Sequence, residues 1–306
     1  MSGTVSTSSR ENGHRRPRGY ASWRPQAKTR ALLEQVHRVL DEYREHLPLT
    51  VRQIFYRLVA MADYPKTGHA YARLAEALVR ARRAEIVPFE AIRDDGVVTY
   101  SDPWHESQAD FWDATARRIQ SYRRDRQAGQ SKRLELWCEA AGMAPQLARV
   151  ADEYSVPVFS AGGFASLTAV RLIAQRALER DFPTVLLHVG DLDPSGESIF
   201  SALAEDAAAF VERDRVVLPQ RIEAVRVALT REHVADYALP TAPPKISDGR
   251  SRGWGEETCQ LEALAPDELS TIVEEAIQSR MRPDALARAT FLEEQDRLEL
   301  FQGLPA

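Results

Sequence analysis

The stretch PTVLLHVGDLDPSG, residues 183–196, constrains this chain more than any other. Seven mostly apolar residues, Pro183 to Val189, read as a strand buried on both faces, the pattern of a parallel sheet. Gly190 ends the run, and two carboxylates follow one residue apart, Asp191 and Asp193. Residues two apart in extended chain project to the same side, so both acids belong to the C-terminal end of the strand. Pro194, Ser195 and Gly196 then turn the chain into an expected helix, ESIFSALAEDAAAF. Ligands of open parallel sheets bind beyond such strand ends, and two hard oxygen donors on one side suit a magnesium ion.

RLELWCEAAGM, residues 133–143, repeats the arrangement: a short strand, a carboxylate at Glu139, then a helix. Asp191 follows Glu139 by 52 residues, filled by an expected helix (144–154), strand (156–160) and helix (166–180). Two βα units of this kind lay both strand ends along one edge of a parallel sheet. Strand-Glu, two βα units and strand-Asp-x-Asp-Pro-Ser-Gly, in that order, resemble the toprim domain of topoisomerases, certain primases and certain nucleases. The resemblance implies that Glu139, Asp191 and Asp193 hold Mg2+, with Mn2+ as a substitute. The plainer alternative makes Asp191 and Asp193 helix caps and Glu139 a surface acid; clustered like charges without a cation weigh against it.

A chain of 306 residues predicts two domains, and its net charge of −5 is unevenly shared. Residues 1–132 carry a balance of +7 and residues 133–306 a balance of −12. The basic half is suited to phosphates, and the acidic half repels them except where metal intervenes. Two separated cysteines, Cys138 and Cys259, suggest neither a disulfide nor a zinc site and point to a reducing cytosol. No apolar run reaches membrane-spanning length, and no apolar segment follows the N-terminal charges. The expectation is a soluble, cytoplasmic protein.

Residues 1–27 read as a disordered basic arm whose Arg10, Arg15, Arg16 and Arg18 either touch DNA backbone or merely solubilise the chain. A helix is expected over 28–46. Thr50 and Gln53 have capping-box spacing and Leu49 and Ile54 staple spacing, so a second helix starts at Thr50. A third runs over 68–84, its polar side carrying Arg73, Arg80, Arg82 and Arg83. IVPFEAIRDDGVVTY then offers two short strands around Asp94-Asp95-Gly96. Three helices and a hairpin form a winged-helix pattern, whose third helix enters the major groove; the alternative is a solvated arginine face. The first domain extends to residue 128 through a helix over 104–128 with basic residues at its end. The α/β domain with a parallel-sheet core spans 129–306, including a Pro/Gly/Ser-rich loop at 240–254 with Lys245, Arg250 and Arg252.

On the second helix Arg52 and Tyr56 share a face while Val51, Phe55 and Leu58 point inward, which places Tyr56 near the surface. RQIFYR resembles the Arg-Asp-Ile-Tyr-Tyr motif of the topoisomerase VI A subunit and its meiotic double-strand-break relative. There the second aromatic is the DNA-attacking tyrosine, here Tyr56; Phe55 stands at the first aromatic and Gln53 replaces the usual acid. The resemblance covers most of residues 30–265, with a CAP-like winged helix first and toprim second. It implies a homodimer on double-stranded DNA, in which Tyr56 of one chain works with the acids of the other, assisted by Arg52. The product is a 5′-phosphotyrosyl link and a free 3′ hydroxyl. No Walker-type loop is present, so strand passage requires a separate ATPase subunit, and the chain looks most like topo mini-A, the stand-alone A-subunit homologue. Two alternatives stay open: a hydrolytic toprim nuclease of the plasmid-defence type, and a DNA-binding dimer with weak or no cleavage. Either way a nucleoid-associated location follows.

Overall fold

The structure, a computed structural model, describes residues 20–93, 104–160, 167–180, 182–214, 221–244 and 257–304. Its centre is a parallel sheet of β1 (Arg133–Cys138), β2 (Val158–Ser160), β3 (Thr184–Val189) and β4 (Ile222–Ala228), in the order β2-β1-β3-β4. Three crossover helices join the strands: α5 (Ala144–Asp152), α6 (Leu167–Leu178) and α7 (Pro194–Asp214). β1 and β3 are neighbours, with Cys138 opposite Val189. Glu139 and Gly190 therefore leave the sheet side by side, and the Glu139 amide still donates to Val189 O at 3.0 Å.

Every residue of β3 is buried, as the apolar run predicts for a strand covered on both faces. Leu134, Leu136, Val185, Leu187 and Val189 feed one core; Trp137 and Leu186 feed a second, with Ile173, Phe200 and Leu203. Glu135 is the exception on β1. Its fully buried carboxylate accepts two 2.8 Å bonds from Arg176 and a 3.3 Å bond from Arg180, both on the α6 side. A buried carboxylate is tolerated when its lone pairs are filled by such donors.

The first core continues without a break into α1 (Ala27–Glu42), α2 (Val51–Ala62) and α3 (Gly68–Arg83). Val36, Ile54 and Leu74 share it with Leu187 of β3 and Leu269 of α9 (Pro266–Gln278). The capping box of α2 is formed on both sides: Thr50 Oγ1 accepts from Gln53 N, and Gln53 Oε1 accepts from Thr50 N at 2.8 Å. Leu49 and Ile54, the expected staple pair, are both fully buried.

Residues 86–92 differ from the expected hairpin strand. They form a 3-10 turn, Phe89–Ala91, and one parallel bridge between Ile92 and Leu49, because Pro88 withholds an amide from any longer ladder. Asp94, Asp95, Gly96 and the second strand lie outside the described residues, as do the basic arm through residue 19 and Lys245, Arg250 and Arg252. α4 (Gln108–Gln120) is shorter than expected and packs on α10 (Pro283–Gln302). After β4 comes the short α8 (Arg231–Asp236), and no helix among the described residues is long and apolar enough to cross a membrane.

Candidate active site at the strand tips

Glu139, Asp191 and Asp193 stand together beyond β1 and β3, and the first turn of α7 closes over them. A Cβ built on Gly196 would lie 3.0 Å from Glu139 Oε2, 3.4 Å from Asp193 Oδ1 and 2.9 Å from Asp191 O. Only a residue without a side chain permits that approach. Asp193 Oδ1 accepts from Gly196 N at 2.7 Å, so it caps α7 while facing Glu139. Asp191 turns its Oδ1 to the Leu261 amide at 2.8 Å.

Burial raises Glu139 to about 7, and the neighbouring Asp191 and Asp193 add to the rise. Asp191 is also raised, by burial first. Glu139 Oε2 is buried with no hydrogen-bond partner. Among the described residues no three His, Cys, Asp or Glu side chains are gathered closely enough to enclose an ion in this conformation. The donors nevertheless fit a hard divalent cation: an orphaned carboxylate oxygen, a second carboxylate facing the same space and a third acid beside them.

A segment from near the C-terminal helices ties this cluster to α2. Cys259 pairs with Leu192 through backbone bonds of 2.8 and 3.0 Å, and Leu261–Ala263 form a 3-10 turn. On its other side the segment receives α2: the Tyr56 hydroxyl donates to Gln260 Oε1 at 2.5 Å, Arg57 donates to Ala263 O, and Arg52 lies 3.7 Å from Glu262. The partner of Tyr56 and the partner of Asp191 are therefore consecutive residues, Gln260 and Leu261.

This packing corrects the expectation for Tyr56. The residue is 4% exposed, not near the surface, because the 257–264 segment covers the face that the α2 pattern leaves open. It still lines a cavity of about 220 Å³ with Arg52, Lys66 and Gln260. Burial pushes its phenol up to about 12, Glu262 pushes the same way, and Arg52 only partly opposes them. Arg52 by itself therefore does not bring the phenol below its ordinary value.

Five further residues belong to the site, and no motif in the sequence singles them out. Arg226, on β4, donates to Gly190 O at 3.1 Å and to Asp191 O, and approaches His188 Nδ1 at 3.3 Å. It braces the loop that carries Asp191, and its one trace in the sequence is an arginine interrupting the apolar run of residues 224–228. His188 stacks on Phe200 at 4.1 Å and is pushed down to about 3 by burial and then by Arg226, so it is neutral. Gln260 and Glu262 lie in a segment with no motif. Glu262 is 7% exposed, its Oε2 has no hydrogen-bond partner, and it is raised by burial and by Asp191. Lys66 precedes the Thr67 cap of α3 and reaches Pro240 O at 2.7 Å.

The arginines of α3 do not form one face. Arg73 and Arg80 line a cleft with Trp23 of the chain before α1, and Arg80 pairs with Glu76 at 2.9 Å. Arg82 and Arg83 line a second cleft with Tyr20 and Phe89. The helix carries Arg82 about 200° past Arg80, which spacing alone shows and a count of arginines hides. A scan against protein-family models and a search of curated proteins find no match to this chain.

Proposed function

We propose that this protein is a magnesium-dependent, DNA-cleaving transesterase similar to the A subunit of type IIB topoisomerases, with Tyr56 as nucleophile and Glu139, Asp191 and Asp193 as metal ligands. The observation that carries the reading is the single link from the Tyr56 hydroxyl through Gln260 and Leu261 to Asp191. A phenol and a buried carboxylate cluster so joined suit phosphoryl transfer, which needs a positioned nucleophile and charge stabilisation more than covalent help.

The chain's own residues divide the work. Gln260 aims the phenolic oxygen. Arg52, half exposed and only loosely paired to Glu262, offers its guanidinium to a phosphate oxygen. Arg226 braces the Asp191 loop. A divalent cation held by Glu139, Asp191 and Asp193 would supply positive charge at the phosphodiester. As the phenol loses its proton, the Tyr56 O–P bond forms and the P–O3′ bond breaks. The departing 3′ oxygen gains a proton, which leaves a 5′-phosphotyrosyl link that can be resealed. In this reading the protein acts as a homodimer on double-stranded DNA near the nucleoid, and a separate ATPase subunit is needed for strand passage.

The burial of Tyr56 favours a second reading, hydrolysis by a metal-activated water with Tyr56 as packing. End-labelled duplex incubated with protein and Mg2+ or Mn2+, then stopped with detergent, separates the two. Protein-linked 5′ ends that vanish in Tyr56→Phe support transesterification. Free 5′ phosphates that persist in Tyr56→Phe support the nuclease, and no cleavage under either metal overturns both.

A further inference from the structure

The cavity beside Tyr56 is lined by two cationic side chains, Arg52 and Lys66, and, among the described residues, by no carboxylate. Lys66 is half buried at its wall, its ammonium 5.6 Å from the centre of the Tyr56 ring. The ammonium donates to Pro240 O at 2.7 Å and Thr241 O at 3.0 Å. An ammonium has three N–H donors, so one remains beyond these two carbonyls. Among the described residues no carboxylate comes within ion-pair distance of Lys66, and burial works against its charge. Arg52 lines the same cavity, and its 3.7 Å approach to Glu262 is longer than a charge-assisted hydrogen bond. Thr67 and Gly68, also in the wall, bring the positive end of the 16-residue helix α3 to the opening.

Two cationic side chains that converge on a phenol, with the carboxylate cluster beyond the 257–264 segment, define a place for a singly charged phosphodiester. We propose that this cavity seats one phosphodiester of the DNA backbone against the Tyr56 hydroxyl, with Lys66 as the residue that holds it. The inference rests on the reading of Tyr56 as a DNA-attacking nucleophile and adds the residue that positions its target. Lys66 touches the phosphate and exchanges no proton in this role, so Lys66→Arg preserves the contact and Lys66→Gln removes it.

The test measures duplex binding in the Tyr56→Phe background, where no cleavage intervenes. One phosphate contact fewer lowers the slope of log K against log salt by about 0.9. Lys66→Gln is therefore expected to reduce that slope by about this amount and weaken binding about five- to tenfold, with Lys66→Arg close to the parent. A duplex with one uncharged methylphosphonate, moved along a strand, is expected to bind more weakly at one position, and Lys66→Gln adds no further loss there. An unchanged salt slope with Lys66→Gln, or no position coupled to Lys66, overturns the proposal. A Lys66-dependent affinity for inorganic phosphate without any effect on DNA overturns the DNA assignment. Thermal melts of both variants exclude unfolding as the cause. The arms separate this inference from the reading it rests on. Covalent adducts in the wild type with a Lys66-independent slope sink the inference alone; a Lys66-dependent slope without adducts sinks the nucleophile alone.

Discussion

Gly196 is a position at which one added methyl group would press on the backbone of the site. A Cβ there meets Asp191 O at 2.9 Å, and a backbone atom cannot swing aside as a side-chain tip does. Gly196→Ala is expected to push the Asp191 loop off its position and weaken Mn2+ binding at least tenfold. Its cost in stability should stay within about 1–3 kcal/mol, the usual range for overpacking. Titration calorimetry with Mn2+ beside urea unfolding checks both, and undiminished affinity would falsify the role given to Gly196. Tyr56 supplies a pH prediction. Its folded phenol sits at about 12, above the ordinary value of 10.0, so its contribution to stability is full below pH 10 and is lost as pH rises toward 12. Tyr56→Phe has no such proton to lose and should lose less stability over that window. Equal alkaline loss in both proteins, measured by urea unfolding at several pH values, would refute the burial argument.

Between elements, the firmest polar joint is that of α4 and its trailing chain with α10. Glu293 on α10 is 1% exposed and accepts from Arg123 at 3.1 Å, Arg126 at 2.9 Å and Arg297 at 2.7 Å, and from the Arg124 amide at 3.0 Å. Burial alone would raise this carboxyl, yet the arginine and amide bonds outweigh it and hold it low. A depressed carboxyl stabilises the fold above its unfolded pKa and loses that contribution as pH falls through the folded value. Glu293→Gln is expected to cost about 3–5 kcal/mol near neutrality by leaving the arginines without their counter-charge, and to flatten the acid side of the stability profile. A cost below about 1 kcal/mol would show the cluster to be merely solvated. At α2 the corresponding local test is Thr50→Ala, expected to cost about 1 kcal/mol through its lost cap. That capping box is legible in the sequence because both partners lie within one helical turn, and the strand tips at Glu139 and Asp191 are legible because an apolar run ends there. The joint at Glu293 and the contact of Tyr56 with Gln260 are not, since their partners are 170 and 204 residues apart and carry no local pattern. Arg82 is illegible for another reason: residue type indicates a polar side chain, whereas its phase on the helix decides which cleft it enters.

At the scale of the whole molecule, the proposed function raises the question of which chain's acids would serve which chain's tyrosine. Family resemblance implies the partner's acids, whereas the geometry of this chain argues for its own. Ile54 and Leu58 of α2 are fully buried in the core that also holds Leu187 and Leu269. Swinging α2 across to a neighbouring chain would expose that core, and each large side chain returned to water costs about 1.5–3 kcal/mol. It would also break the bonds of Tyr56 to Gln260 and of Arg57 to Ala263. Binding one stretch of DNA does not readily supply a cost of that size, so α2 should stay on its own sheet. A mixture of Tyr56→Phe and Asp191→Ala chains discriminates the two arrangements. If sites form between chains, the mixed dimer retains one intact tyrosine and one intact acid cluster in the same site, and it nicks one strand. If each site forms within a chain, every site in the mixture lacks one component and no covalent adduct appears. The expected result is no adduct from the mixture, while wild type mixed with Tyr56→Phe nicks single strands, with chain exchange verified by two affinity tags. Nicking by the doubly defective mixture would show that α2 leaves its own core on DNA, and the cohesion argued for that core would then be too weak to hold it.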